Sequence, residues 1–192
     1  MIIITVLVIS ILSCSSGPKP SISSTDPDLR YRALLDLDYS GKLNQHLDLV
    51  TELVTDDRDP LVRALCASYL SKYKYTTGVP VLLKALQDQD ALVRESAVKA
   101  FGLMAGKEAV KPLLGLLADD KSNQVRRAVA QVLGDMGKTD ALEGLIARLD
   151  DVDSSVSYAA LKALRKITGQ SLGRDADAWE KCLKEQPPKE TK

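Results

Sequence analysis

Asp90-Ala91-Leu92-Val93-Arg94-Glu95-Ser96-Ala97-Val98-Lys99-Ala100-Phe101-Gly102 is the stretch that decides the fold. Val93, Ala97 and Phe101 stand at offsets 0, +4 and +8, the spacing of one helical face. Asp90, three residues before Val93, is placed to cap that helix, because its carboxylate accepts an amide proton that the first turn leaves unpaired. The text repeats. Leu29-Arg30, Val62-Arg63, Val93-Arg94, Val125-Arg126 and a degenerate Val156-Ser157 follow one another at steps of 33, 31, 32 and 31 residues. Asp26, Asp59, Asp90, Ser122 and Asp153 precede them by three. Ala33, Cys66, Ala97, Val129 and Ala160 stand four after, and Leu37, Leu70, Phe101, Leu133 and Leu164 eight after. Pro27 and Pro60 open two of these helices, where a missing N–H costs little.

Between the capped helices the leucine-rich stretches Leu43–Val54, Val79–Gln87, Ala109–Ala118 and Ala141–Leu149 predict a second set. Each stops at an acidic turn: Asp56-Asp57, Asp88, Asp119-Asp120 and Asp150-Asp151. Glycines 41, 78, 106, 137 and 169 mark the opposite turns. One hairpin of this size cannot bury its apolar face alone, whereas stacked hairpins share a continuous core. The expectation is an all-α solenoid of about five hairpins over residues 26–186, closed by a helix carrying Trp179, Cys182 and Leu183 on one face, with a frayed tail at 187–192.

Composition agrees. The chain has 192 residues, and Leu and Ala fill about a quarter of it. Lys+Arg and Asp+Glu are both 26, and a balanced charge argues against broad nucleic-acid binding. A single histidine, His46, and three cysteines are thin material for a metal centre or a disulfide framework, and no metal or cofactor is expected. Gly137-Lys138-Thr139 lacks the upstream glycine and strand of a phosphate loop, so it reads as a helix C-cap.

This pattern resembles the HEAT-repeat family in its short-repeat branch, typified by phycobilisome lyase subunits. In that family the repeated Asp and Arg bond across neighbouring repeats. The resemblance therefore implies a ladder built from Asp59, Arg63, Asp90, Arg94, Arg126 and Asp153. The concave face implied by the fold offers Tyr31, Glu95, Lys99, Arg127, Gln131, Tyr158 and Lys162 as contact residues for another protein.

Residues 1–13, an uncharged apolar run ending in Leu12-Ser13, are too short to span a bilayer and suit a signal peptide. With Cys14 they resemble a bacterial lipoprotein signal, which implies lipidation of Cys14; an uncleaved anchor is the alternative reading. Residues 14–25 are Ser/Pro-rich and read as a tether. Ser15 after the cysteine implies the outer membrane, facing the periplasm. The sequence thus suggests a non-enzymatic, lipid-anchored adaptor of the bacterial envelope, monomeric by default, that binds a protein and no nucleic acid. A chromophore (bilin) lyase subunit is the rival implied by the family branch, and a DNA-lesion enzyme on a HEAT-like scaffold is a third.

Overall fold

The computed structural model describes residues 19–104 and 110–185. The apolar leader, Cys14, the first part of the tether, Gly106, Ala109 and the tail lie outside the described residues. The chain forms two compact units, one ending at Leu43 and the other Asn44–Lys192.

All regular structure among the described residues is helical. In the first unit α1 spans Pro27–Tyr39, with Asp26 as its cap and Ala33 and Leu34 buried. The second unit contains α2 (Leu47–Asp56), α3 (Pro60–Lys72), α4 (Val79–Ala85), α5 (Ala91–Met104), α6 (Val110–Asp119), α7 (Asn123–Met136), α8 (Leu142–Ile146), α9 (Ser154–Thr168) and α10 (Ala176–Glu185). It is an α-solenoid: α2 pairs with α3, α4 with α5, α6 with α7 and α8 with α9, while α3, α5, α7 and α9 pack side by side in one row. In the other row α2 meets α4, α6 meets α8, and α8 meets α10.

The repeat positions explain the packing. Val62, Cys66, Leu70, Val93, Ala97, Phe101, Val125, Val129, Leu133, Val156, Ala160 and Leu164 are all completely buried. A side chain every four residues keeps one stripe of each helix against its neighbours. Two first-row helices are shorter than the leucine pattern predicts. Leu86 and Leu149 are buried, yet α4 and α8 end before them. The chain there tightens into i→i−3 bonds, Gln87 N–H to Lys84 O and Leu149 N–H to Ile146 O, as helix ends commonly do.

Ser122 departs from the expected cap: its side chain makes no cap bond, and its hydroxyl meets Gln124 instead. Gly137 ends α7 in the left-handed conformation at φ +64°, which glycine adopts without the usual Cβ penalty. Trp179 is fully buried, and its indole N–H donates to the Gly173 carbonyl at 2.8 Å. The Arg165 guanidinium reaches the Leu172 carbonyl at 2.9 Å, tying the connection after α9 back onto that helix. Cys66 and Cys182 are both free thiols, and burial, followed by the charge of Asp57, pushes the Cys66 thiol up.

Helix α7 approaches α9 at Gly134, where an added Cβ would lie 2.7 Å from the Ala163 Cβ and 2.8 Å from its Cα. The obstacle is backbone, so it cannot rotate away. Gly134→Val is expected to cost about 1–3 kcal/mol, as overpacked sites do. Urea unfolding followed by circular dichroism checks this, with Gly115→Ala, whose added Cβ meets nothing within 4 Å, as the control.

Candidate functional site

Two structures deserve description as sites: a chain of ion pairs that runs through the second unit, and a groove on the row of capped helices.

The ion pairs recur once per repeat. Arg63 grips both oxygens of Asp88 at 2.8 Å, Arg94 those of Asp120 at 2.7 and 2.9 Å, and Arg126 those of Asp151 at 2.9 and 2.8 Å. The remaining guanidinium nitrogen of each arginine turns back to its own hairpin turn, donating to the carbonyl of Asp57, Asp88 or Asp120 at 2.8–2.9 Å. Each acceptor carboxylate also takes a backbone N–H two residues on, from Asp90, Ser122 or Asp153. Every repeat is thereby clamped to the next through a planar, bidentate contact.

The expected ladder acids are thus corrected. Asp59, Asp90 and Asp153 do not receive the arginines. Their oxygens point at the amides of their own helices, Leu61, Leu92 and Ser155. A cap carboxylate is aimed along its helix axis, whereas one placed two residues earlier faces the preceding repeat. The signal was available in the sequence: Asp57, Asp88, Asp120 and Asp151 recur at steps of 31, 32 and 31, in phase with the arginines. Where the fifth arginine would stand, Ser157 is buried and donates to Ser154 O. Asp153 still links repeats, accepting the side-chain amide of Asn123.

Bonding to Arg126 holds Asp151 below the usual carboxylate range, against the opposing effect of burial. For Asp88 and Asp120 burial is the largest influence and pushes up, but arginine, backbone amide and neighbouring positive charge together outweigh it and leave both depressed. Asp153 falls to about 2, through the Ser155 hydroxyl, the Asn123 amide and the Ser155 backbone. Because these folded-state values lie below the unfolded one, their stabilisation is present above pH ~4 and disappears as pH falls through the folded values. Melting temperature is therefore expected to hold steady from neutral pH to about 5 and to drop steeply below about 4, as a calorimetric pH series reads.

The groove lies between α7 and α9 and encloses about 560 Å³. Arg127, Gln131 and Asp135 line one wall, Tyr158, Lys162 and Lys166 the other, and Gly134, Ala159 and Ala163 supply small contacts between them. Lys166 is paired with Asp135 at 2.8 Å. Arg127 and Lys162 make no ion pair among the described residues, and Tyr158 is 56 % exposed. The groove therefore presents positive charge and an aromatic face to solvent, a combination suited to a flat anion.

Of the predicted contact residues, the structure brings Arg127, Gln131, Tyr158 and Lys162 together here. Glu95 and Lys99 sit on α5 and pair with each other at 2.6 Å. Tyr31 is half-buried on α1, in the first unit. Among the described residues no His, Cys, Asp and Glu side chains are arranged to hold a metal ion.

The HEAT-repeat family profile matches residues 20–102 and again 79–165. The chain belongs to the HEAT-repeat family. Within it, the chain sits with the phycobilisome-lyase-like branch. It is 30 % identical over 132 residues to phycocyanobilin lyase subunit alpha of Picosynechococcus sp., covering 63 % of this chain and 49 % of that protein. The corresponding subunit of Nostoc sp. is 29 % identical over 167 residues, covering 77 % and 60 %. The chain thus spans about half to three-fifths of the curated relatives it matches. Among solved structures it resembles the complex of CpcE and CpcF of phycocyanin lyase from Nostoc sp., with a TM-score of 0.67 and 26 % identity, over 88 % of this chain and 71 % of the other. An engineered protein matches the fold alone, at TM-score 0.58 and 22 % identity over 76 % of each chain.

These matches overturn three expectations. The relatives are lyase subunits, so the HEAT-repeat body is not that of a non-enzymatic adaptor, and the assignment as a non-enzyme is corrected with it. The placement at the outer membrane of an envelope falls too, since it was drawn from the leader and a sorting analogy, not from the repeats. No helix among the described residues is long and apolar enough to cross a membrane. Weighing the short leader above the repeat text led to the wrong choice between adaptor and lyase.

Proposed function

We propose that this chain is a bilin lyase-type subunit, which works with a second protein to hold a linear tetrapyrrole while it is joined to, or released from, its carrier protein. The observation that carries the reading is the α7–α9 groove with unpaired Arg127 and Lys162 beside exposed Tyr158, in a HEAT solenoid similar to phycocyanobilin lyase subunits. A bilin is a flat conjugated body carrying two propionate carboxylates. The two cations suit the carboxylates, the phenol ring suits the conjugated body, and the Ala159–Ala163 floor leaves room for it.

The groove holds no nucleophile, base and orienting group in series, and the proposed role needs none. Its contribution is position: a bound chromophore presented in one orientation reacts with its acceptor as if at high local concentration. A protein partner is part of the reading, since the similar solved structure is a complex of two proteins.

The test mixes the full chain with phycocyanobilin and follows the visible absorption band, then adds apo-phycocyanin with and without a partner lyase subunit. Saturable binding with a spectral shift, and covalently coloured acceptor only when this chain is present, is the expected result. No spectral change at tens of micromolar chromophore, together with no transfer in either mixture, overturns the reading.

A further inference from the structure

The repeat register carries the face of the groove beyond α7 and α9. Its wall residues stand at −1, +2, +6 and +10 from Val125 or Val156, as Ser155 at −1 and Lys166 at +10 illustrate. Eleven residues make about three helical turns, so −1 and +10 lie on one face. On α5 these two positions are Leu92 and Leu103, and on α3 the −1 position is Leu61. The three leucines are 41 %, 71 % and 54 % exposed. In a unit whose other core leucines are shut from water, three large aliphatic side chains at equivalent positions of adjacent repeats form a patch rather than scattered exposure.

The same face is unequally charged. Lys72 and Lys99 on α3 and α5, with Arg127, Lys162 and Lys166, outnumber Glu95 and Asp135. The whole chain is neutral, and this face is positive because acidic residues collect elsewhere, for example Glu143, Asp150 and Glu180 beside α8 and α10. Leucines alone would accept any apolar surface; a cationic surround selects one with carboxylates beside it.

We propose that the face running from α3 to α9 docks an acidic amphipathic helix of a partner protein. Its apolar stripe lies on Leu61, Leu92 and Leu103, and its carboxylates lie toward the lysine and arginine end. Four helices at roughly 9–10 Å spacing span about 30 Å, the length of a helix of about twenty residues. The inference stands apart from the chromophore reading, because α3 and α5 carry its apolar part and line no part of the groove.

A fluorescein-labelled twenty-residue helical peptide tests it, with leucines at i, i+3, i+4 and i+7 and glutamates flanking them. A matched peptide carries lysines in place of the glutamates. With the full chain, fluorescence anisotropy is expected to show saturable binding of the glutamate peptide at least tenfold tighter than the lysine peptide, weakening with salt. Leu92→Glu with Leu103→Glu is expected to weaken it tenfold or more while the phycocyanobilin spectral response is retained. If that variant melts early, Leu92→Ser with Leu103→Ser takes its place. Equal binding of the two peptides, or undiminished binding by a stably folded leucine variant, overturns the proposal. A lost chromophore response with peptide binding intact counts against the lyase reading alone.

Discussion

Asp151→Ala is expected to destabilise the second unit by about 3–5 kcal/mol, the usual cost of removing one partner from a buried ion pair. Asp151 accepts two bonds from Arg126, takes the Asp153 amide, and lies 3.8 Å from Arg148. Its side chain is 2 % exposed and that of Arg126 10 %. Truncation leaves the Arg126 guanidinium half-satisfied, with only the Asp120 carbonyl in reach, and water cannot enter freely to replace the carboxylate. Removing both charges at once relieves this. Arg126→Met with Asp151→Leu is expected to recover most of the loss, because the pair's mutual attraction is largely offset by the desolvation of both ions. Urea denaturation of the two single variants and the double variant measures the coupling directly. A single variant as stable as the parent would show that the clamp contributes nothing to holding the repeats together.

Charge reversal in the groove should have the largest functional effect. Arg127→Glu with Lys162→Glu replaces two unpaired cations by carboxylates facing the proposed propionates. Each lost charge-assisted bond is worth about 1.5–3 kcal/mol, and repulsion adds to that, so phycocyanobilin binding is expected to fall at least ~100-fold. Both side chains face solvent and hold no other described residue in place, so the melting temperature should move little. Titration of the chromophore band, paired with a thermal melt, separates lost binding from lost fold. Tyr158→Ala removes only the stacking face and is expected to cost about tenfold, consistent with the contribution of one aromatic contact.

Legibility differed between fold and site for a physical reason. Helices and their caps were readable because each depends on neighbours within one or two turns: Asp59 and Leu61, Asp153 and Ser155, Val93 and Ala97. The arginine ladder was readable only in half. Its donors were marked by position, but the choice between Asp88 and Asp90 rests on which way a turn aims its carboxylate, and two residues separate the alternatives. The adaptor reading failed at a different level. A binding groove made of scattered Arg, Lys and Tyr leaves no spacing signature, and the absence of a catalytic motif was taken for the absence of chemistry.

Period, capping and apolar stripe determined, from the order of residues alone, that this chain would build helical hairpins and stack them, since backbone amides and a 3.6-residue turn act over short distances. The partner of each arginine, the gathering of Arg127, Tyr158 and Lys162 around one groove, and the concentration of positive charge on one face of a neutral protein were decided only by the tertiary packing. Those relations join residues about thirty positions apart, and the distance between them exists only once neighbouring repeats are in contact.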